Sequence, residues 1–179
     1  MLTYRIHVLL VEDNPEDADV MQEILSGEAT SPFKLTRAEN LSSAMKLLAQ
    51  GGFDVVLLDL VLPDSEGLET LTRTREQFPD VPIIVLTASD DQALAIQAFK
   101  SGAQDYLIKG YIQVYPTLVQ SSIRYTVERR RAERGLKHEE AGSERVSRRM
   151  TDRDEDLSRL RREVNTLLAE LGRPPKYPV

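Results

Sequence analysis

Five charged or hydroxyl side chains follow apolar stretches of this chain, in a pattern that could do chemistry. Glu12 and Asp13 come directly after one apolar run, and Asp59 ends another. Thr87 and Lys109 stand at the ends of two further runs. Three carboxylates in one crevice would repel one another, and a hard divalent cation, usually Mg²⁺, relieves that repulsion. A hydroxyl, an ammonium and such a metal around one carboxylate would stabilise a phosphoryl group attached to it.

The apolar runs before these residues have the length and composition of buried strands. They lie at residues 5–11, 55–58, 83–86 and 106–108, and a run of alternating polarity lies at 33–38. Short runs of branched residues without interruption suit strands that are buried on both faces. Each run is followed by apolar residues at helical spacing, with Asn14, Asn40 and Asp90 as predicted helix caps. Strand and helix therefore alternate five times.

This alternation predicts an α/β fold, with a doubly wound five-stranded parallel sheet and helices on both faces. Because crossovers are almost always right-handed, few topologies remain, and we expect the flavodoxin-like strand order 2-1-3-4-5. That order places a switch point between the first and third strands, where Glu12, Asp13 and Asp59 would meet. Each of the five polar residues alone could be structural. Their arrival at one edge from four strands favours a chemical site.

Composition narrows the possible classes of protein. The net charge is −6, but residues 1–123 hold 8 Lys/Arg and 18 Asp/Glu, whereas residues 124–179 hold 15 and 11. This asymmetry predicts an acidic domain over 1–123 and a basic helical tail over 124–179. The absence of Cys excludes disulfides, thiolate metal sites and a cysteine nucleophile. The first residues resemble neither a signal peptide nor a membrane span, so we expect a cytoplasmic protein with no membrane partner.

The motifs at the strand ends resemble those of the receiver domain of two-component response regulators. The resemblance covers about residues 4–123. It rests on Val11-Glu12-Asp13-Asn14, Asp59-Leu60-Val61-Leu62-Pro63 with Gly67, Leu86-Thr87-Ala88 and Asp105-Tyr106-Leu107-Ile108-Lys109.

The resemblance implies a site and a partner. Asp59 would be phosphorylated by a sensor histidine kinase, with Mg²⁺ held by Asp13, Asp59 and the main-chain carbonyl of Val61, and with Glu12 helping through water. Thr87 and Lys109 would bind the phosphoryl oxygens. The resemblance also implies a switch, in which Thr87 moves toward the phosphoryl group and the ring of Tyr106 swings inward. The protein would be an enzyme only in catalysing its own phosphorylation and dephosphorylation.

One departure from the family pattern follows the lysine. Family members usually have a proline there, joined by a cis bond, whereas Gly110 follows Lys109 in this chain. A cis bond before glycine costs about 2.5–4 kcal/mol, so we expect a trans bond. The path into the last helix, and the surface used for signalling, would then differ from those of the family.

The tail is predicted to be helical over residues 117–134, with Leu118, Ser122, Tyr125 and Val127 toward the domain. Gly135 and Gly142 disfavour helix, so a hinge is expected there. A heptad pattern follows, with Met150, Leu157, Val164 and Leu171 at a, and Val146, Leu160 and Leu167 at d, where Arg153 is the exception.

The charges that flank this heptad favour a parallel homodimer through the C-terminal helix. In that arrangement Arg149 would face Asp154 of the second copy, and Asp156 would face Arg161. Such exposed pairs are individually worth less than about 1 kcal/mol. The alternative is a single amphipathic helix that packs on the domain or on a partner.

Three other functions compete with a signalling module that acts through dimerisation or docking. A transcription regulator could use the basic tail on DNA, but its five glutamates at 128, 133, 139, 140 and 144 would face phosphates poorly, so we do not expect a nucleic-acid partner. No helix-turn-helix pattern follows the domain. An RNA-binding antiterminator would need a three-helix pattern that is not visible. A haloacid-type phosphatase would resemble Asp-x-Asp, whereas Val61 stands two residues after Asp59.

Overall fold

The computed structural model describes residues 5–26, 31–88 and 91–134. The chain divides into the units Met1–Arg131 and Ala132–Val179. The predicted domain boundary after residue 123 stays a prediction, and a helix is continuous across it. The heptad residues of the tail lie outside the described ranges, so the coiled coil and the homodimer also stay predictions. The residues concerned are Val146, Met150, Leu157, Leu160, Val164, Leu167 and Leu171.

Five parallel strands form the central sheet. They are β1 (Ile6–Val11), β2 (Phe33–Ala38), β3 (Val55–Asp59), β6 (Ile83–Thr87) and β7 (Asp105–Ile108), in the order β2-β1-β3-β6-β7. This is the predicted order 2-1-3-4-5, because β4 (Val61–Leu62) and β5 (Ser65–Glu66) form a separate antiparallel hairpin. The sequence pattern did not predict that hairpin and indicated only a turn at its residues.

Helices cover both faces of the sheet. They are α1 (Pro15–Ser26), α2 (Leu41–Gln50), α3 (Leu68–Gln77), α4 (Gln92–Lys100) and α5 (Lys109–Val114), followed by α6 at residues 117–134. One apolar core joins α2, α3 and α4 to the sheet, and the other joins α1, α5 and α6 to its opposite face. The strands need to be apolar on both sides for this reason. Every residue of β3 and β6 is buried.

Side-chain caps mark the first residues of α1, α2 and α4. The side chain of Asn14 accepts a hydrogen bond from the N–H of Glu16 at 2.9 Å, and that of Asn40 accepts one from Ser43 at 2.8 Å, as predicted. The cap of α4 is Asp91, whose side chain accepts from Ala93 at 2.8 Å. The prediction of Asp90 as this cap was therefore wrong by one position in a pair of adjacent aspartates.

The face that α6 turns toward the sheet also differs in part from the prediction. Ser122 and Val127 are buried as expected, but Leu118 and Tyr125 are 45% and 66% exposed. The buried face consists of Val119, Ser122, Ile123, Thr126 and Val127. Both stripes have helical spacing, and the buried one includes two small hydroxyl residues that a search for large apolar side chains passes over.

No helix within the described part of the chain has the length and apolar character needed to cross a bilayer. The cytoplasmic location stays a prediction.

Candidate functional site at the carboxyl edge of the sheet

Asp59 is the last residue of β3 and is only 5% exposed, although it carries a carboxylate. Its Oδ1 accepts a hydrogen bond from the main-chain N–H of Val61 at 3.0 Å. Its Oδ2 accepts one from Lys109 Nζ at 2.6 Å. The extended strand and the turn into β4 thus hold this side chain at the mouth of the sheet, where ligands bind in parallel sheets.

Glu12 and Asp13 approach Asp59 from the neighbouring strand, β1. One carboxylate oxygen from each of the three residues lies within 4.8 Å of the other two. Arg37, at the end of β2, donates from Nε to the main-chain carbonyl of Glu12 at 3.1 Å and from Nη2 to that of Asp13 at 3.0 Å. Arg37 therefore fixes the backbone of the loop that carries two of the three acids.

Lys109 places one ammonium against three carboxylates. Its Nζ lies 2.6 Å from Asp59 Oδ2, 2.7 Å from Glu12 Oε2 and 2.9 Å from Asp17 Oδ2. Burial by itself would lower the pKa of Lys109, but the close carboxylates of Asp59, Glu12 and Asp17 outweigh burial and raise the pKa above its ordinary value. Lys109 is therefore a fixed positive charge at this edge.

Glu12 is the least solvated acid of the group, with a residue exposure of 0%. Burial raises the pKa of Glu12, the charge of Lys109 opposes that rise, and the charge of Asp59 adds to it. Oε1 accepts from the N–H of Asn14 at 3.2 Å. Oε2 is buried and faces Lys109 only as an ion pair, without the geometry of a hydrogen bond to any described residue.

Thr87 and Tyr106 occupy the positions that the sequence predicts for them. Thr87 ends β6, is 6% exposed, and pairs in register with Ile108, while Asp59 pairs with Leu86. Thr87, Lys109 and Asp59 therefore share one edge of the sheet, and none lies on the opposite rim. Tyr106 is partly buried and packs against the apolar core that includes α2, α3 and α4. The switching roles of Thr87 and Tyr106 stay predictions.

The peptide bond between Lys109 and Gly110 lies where the sequence departs from the family pattern. No cis peptide bond occurs among the described residues, which agrees with the trans bond expected before Gly110. The short helix α5 begins at Lys109 itself, and a break at Tyr115 separates it from α6. The sequence pattern predicted only one helix here, starting near Pro116.

Three residues with clear roles in this geometry were missed from the sequence. Asp17 contacts Lys109 from the first turn of α1, and Arg37 holds the loop after β1. Asp64, in the hairpin after Asp59, accepts from the N–H groups of Leu41 and Ser42 at 2.8 Å each and so caps α2 from another segment. A signal existed for Asp17, because it lies four residues before the buried Met21 and therefore on the same side of α1.

The donor set fits a hard divalent cation. Glu12, Asp13 and Asp59 offer carboxylate oxygens, the ligands that Mg²⁺ prefers. The buried Oε2 of Glu12, which lacks a hydrogen bond from the described residues, is an acceptor that a cation or its water could satisfy. The residues present therefore match a small oxygen-liganded metal ion better than a soft metal, which would need thiolate or imidazole ligands.

Comparison with known proteins points to one family. Residues 8–114 match the family model described as the response regulator receiver domain. The swarming motility regulation protein RssB of Serratia marcescens is 36% identical over 106 residues, which are 59% of this chain and 47% of that protein. The chain thus spans less than half the length of the curated relatives it matches first.

Solved structures agree. The signal receiver domain of an HD domain-containing protein from Pseudomonas fluorescens Pf-5 has a TM-score of 0.65 and 28% identity, covering 75% of this chain and 96% of that one. The Mn(2+)-bound form of response regulator Rcp1 has a TM-score of 0.51 and 28% identity, covering 57% and 80%. With the sheet order, the three acids and the lysine at its carboxyl edge, these matches show that the chain belongs to the receiver domain family of two-component response regulators.

Proposed function

We propose that Asp59 of this chain accepts a phosphoryl group from a sensor histidine kinase. Phosphorylation and interaction with such kinases are general for receiver domains. The observation that supports Asp59 as the acceptor is its position: a buried carboxylate at the mouth of the sheet, between the N–H of Val61 and Lys109. Glu12 and Asp13 are less suited, because they follow β1, and β3 with Asp59 lies between β1 and the strand β6 that ends at Thr87.

The chemistry assigned to these residues is a direct transfer. An oxygen of Asp59 attacks the phosphorus of a phosphohistidine, the new P–O bond forms, and the P–N bond breaks with the electron pair returning to the imidazole. Lys109 and the hydroxyl of Thr87 then face the charge on the phosphoryl oxygens, because both stand at the same edge as Asp59. Hydrolysis of the acyl phosphate by water restores the carboxylate, so the only reactions catalysed are those of the domain itself.

Mg²⁺ is the proposed cofactor. Asp13, Asp59 and the main-chain carbonyl of Val61 would hold the ion, and Glu12 would assist through water. When bound, the ion supplies positive charge that neutralises the carboxylates and the transferring phosphoryl group. The related response regulator Rcp1 has been solved in a Mn(2+)-bound form, which supports a divalent ion as the cofactor of this chain.

Labelling with radioactive acetyl phosphate and Mg²⁺ tests the acceptor. Asp59→Asn should abolish incorporation, because the amide is a poor nucleophile, and EDTA should abolish it in the wild-type chain. Asp19→Asn, on the exposed side of α1, is the matched control and should label like wild type. Full labelling of Asp59→Asn would move the acceptor elsewhere.

For the output we propose a parallel homodimer through the C-terminal helix. The support is the heptad at residues 146–171 and its opposite charges at flanking positions. Light scattering of the full chain and of a truncation after Arg134, with and without beryllofluoride and Mg²⁺, measures the mass. A dimer that depends on residues 135–179 is expected, and a monomeric full chain under both conditions would refute the coiled coil.

A DNA-binding regulator is the second candidate for the output. Several relatives are named transcriptional regulatory proteins, among them YkoG of Bacillus subtilis (strain 168), 36% identical over 105 residues. That match covers only 45% of YkoG. Titration of labelled duplex DNA at two salt concentrations separates the candidates, since sequence-selective and salt-sensitive binding would favour this second one.

A further inference from the structure

Asp17 contacts Lys109, although neither the metal nor the phosphoryl chemistry requires this contact. It lies in the first turn of α1, and its Oδ2 accepts a hydrogen bond from Lys109 Nζ at 2.9 Å. Its side chain is 26% exposed, whereas those of Asp59 and Glu12 are 8% and 1% exposed. Asp17 therefore reaches the same ammonium as the acceptor, but from the solvent side.

We propose that Asp17 is a releasable counter-ion, which holds Lys109 in the resting state and gives up its hydrogen bond when a phosphoryl group arrives on Asp59. This inference rests on the proposed function. An ammonium has three N–H donors, and here it faces three carboxylates. Because all three carboxylate oxygens lie within 2.9 Å of Nζ, a phosphoryl oxygen can approach Nζ equally closely only if one of them moves away.

The three contacts differ in what their loss would cost. Glu12 Oε2 is buried and has no hydrogen bond from the described residues, so losing Lys109 would leave an uncompensated charge away from water. Asp59 carries the phosphoryl group and stays beside Lys109 in either state. Asp17 is the most exposed of the three carboxylates, and water can replace the ammonium there at a smaller cost than at Glu12. Asp17 is therefore the contact that breaks.

A contact that exists only in the resting state opposes the phosphorylated state. Removing it should favour that state by the free energy of the contact, as for any two-state equilibrium. For a partly exposed ion pair this corresponds to a change of about fivefold in affinity for a phosphoryl mimic. A residue that merely helps α1 fold would change the stability of both states equally and would leave this affinity unchanged.

Titration with beryllofluoride at saturating Mg²⁺, followed by the ¹⁹F signal of the bound mimic, measures the affinity in the full-length chain. The Mg²⁺ concentration that saturates each variant is first determined separately, so that a change in metal affinity is not mistaken for a change in mimic affinity. Asp17→Asn should bind beryllofluoride about fivefold more tightly than wild type. Asp17→Glu keeps the charge, so its affinity for beryllofluoride should stay within about twofold of wild type. Asp19→Asn removes one negative charge from the exposed face of α1, and its affinity should also stay within about twofold of wild type.

Each result bears on the inference. Equal or weaker binding by Asp17→Asn would overturn it, and so would an equal gain from Asp19→Asn, which would show a general effect of charge. A gain in Asp17→Glu as large as that in Asp17→Asn would point to packing and would also overturn it. Absence of beryllofluoride binding by the wild-type chain would instead refute the proposed function, and the inference with it, so the two failures are distinguishable.

Discussion

The strand β3 has an aspartate at each end, and the two carboxylates have very different surroundings. Asp54, just before the strand, accepts the main-chain N–H of His7 at 2.8 Å, while its own N–H donates to the carbonyl of His7 at 2.9 Å. Asp59, at the other end, lies against the ammonium of Lys109 and within reach of two more carboxylates. Asp54 therefore binds the main chain at the amino edge of the sheet, whereas Asp59 belongs to a cluster of charged side chains at the carboxyl edge.

The surroundings of Asp54 show how a structural edge is built. His7 bridges two neighbours there, with Nδ1 2.9 Å from the carbonyl of Gly52 and Nε2 2.9 Å from the hydroxyl of Thr36. The ring of His7 also lies 4.4 Å from that of Phe53. Each of these four hydrogen bonds joins a polar group to the main chain or to a neutral side chain. At the other edge like charges are held together by one cation, which is an unfavourable arrangement unless a ligand uses it.

Replacing Lys109 should produce the largest change. Lys109→Met removes the ammonium but keeps much of the side-chain volume, and it leaves Glu12 and Asp59 buried without their counter-charge. We expect the free energy of unfolding in EDTA to fall by about 3 kcal/mol. Because a divalent ion would then compete with no ammonium, Mg²⁺ should restore more stability to the variant than it adds to wild type. Urea unfolding with and without Mg²⁺ measures both effects.

An unchanged stability in EDTA would mean that the acids at the carboxyl edge are solvated in the absence of metal. The two ends of β3 would then differ in where their charges lie but not in the effect of those charges on the free energy of unfolding. Asp19→Asn is again the matched surface variant and should shift the free energy of unfolding by less than about 0.5 kcal/mol.

The contribution of Glu12 to the free energy of unfolding should depend on pH, because its carboxylate is buried beside Asp59. Burial raises the pKa of Glu12 above its ordinary value of 4.5, so the folded chain holds this proton more tightly than the unfolded chain does. The stability that Glu12 contributes is fully present below the unfolded pKa and is lost as pH rises through the folded pKa. Glu12→Gln removes this dependence, and at neutral pH in EDTA it should stabilise the fold by about 1 kcal/mol.

Urea unfolding of both chains from about pH 4 to about pH 8 checks this sign. The difference between Glu12→Gln and wild type should grow as pH rises. A difference that shrinks would show that Lys109 more than compensates the buried carboxylate, and that the edge is not under electrostatic stress in the resting state.

Much of this arrangement is predictable from the sequence because it depends on two simple features. Apolar runs mark the buried strands, and the handedness of crossovers then brings the residues at their carboxyl ends to one edge. Glu12, Asp13, Asp59 and Lys109 meet for that reason. This prediction did not require knowing how any helix is rotated about its own axis.

Several of the misses depend on the rotation of a helix or on a local choice between neighbouring residues. Asp17 reaches Lys109 only because α1 lies on the sheet with one particular side inward. Leu118 and Tyr125 are exposed because the stripe with Val119 and Ile123 faces the core instead. On α6 two stripes one residue apart compete, and packing against the sheet decides between them with an energy that periodicity does not contain.

The smallest effect is expected at the amino edge, where it completes the contrast between the two ends of β3. Asp54→Asn keeps an oxygen that can accept the N–H of His7, so the free energy of unfolding should change by less than about 0.5 kcal/mol. Asp54→Ala removes the acceptor and should cost about 1 kcal/mol. Urea unfolding measures both, and acetyl phosphate labelling should be unaffected in both variants. If Asp54→Asn instead destabilised the chain as much as Lys109→Met does, charge would matter equally at the two edges, and the concentration of charge around Asp59 would not distinguish the functional end of the strand.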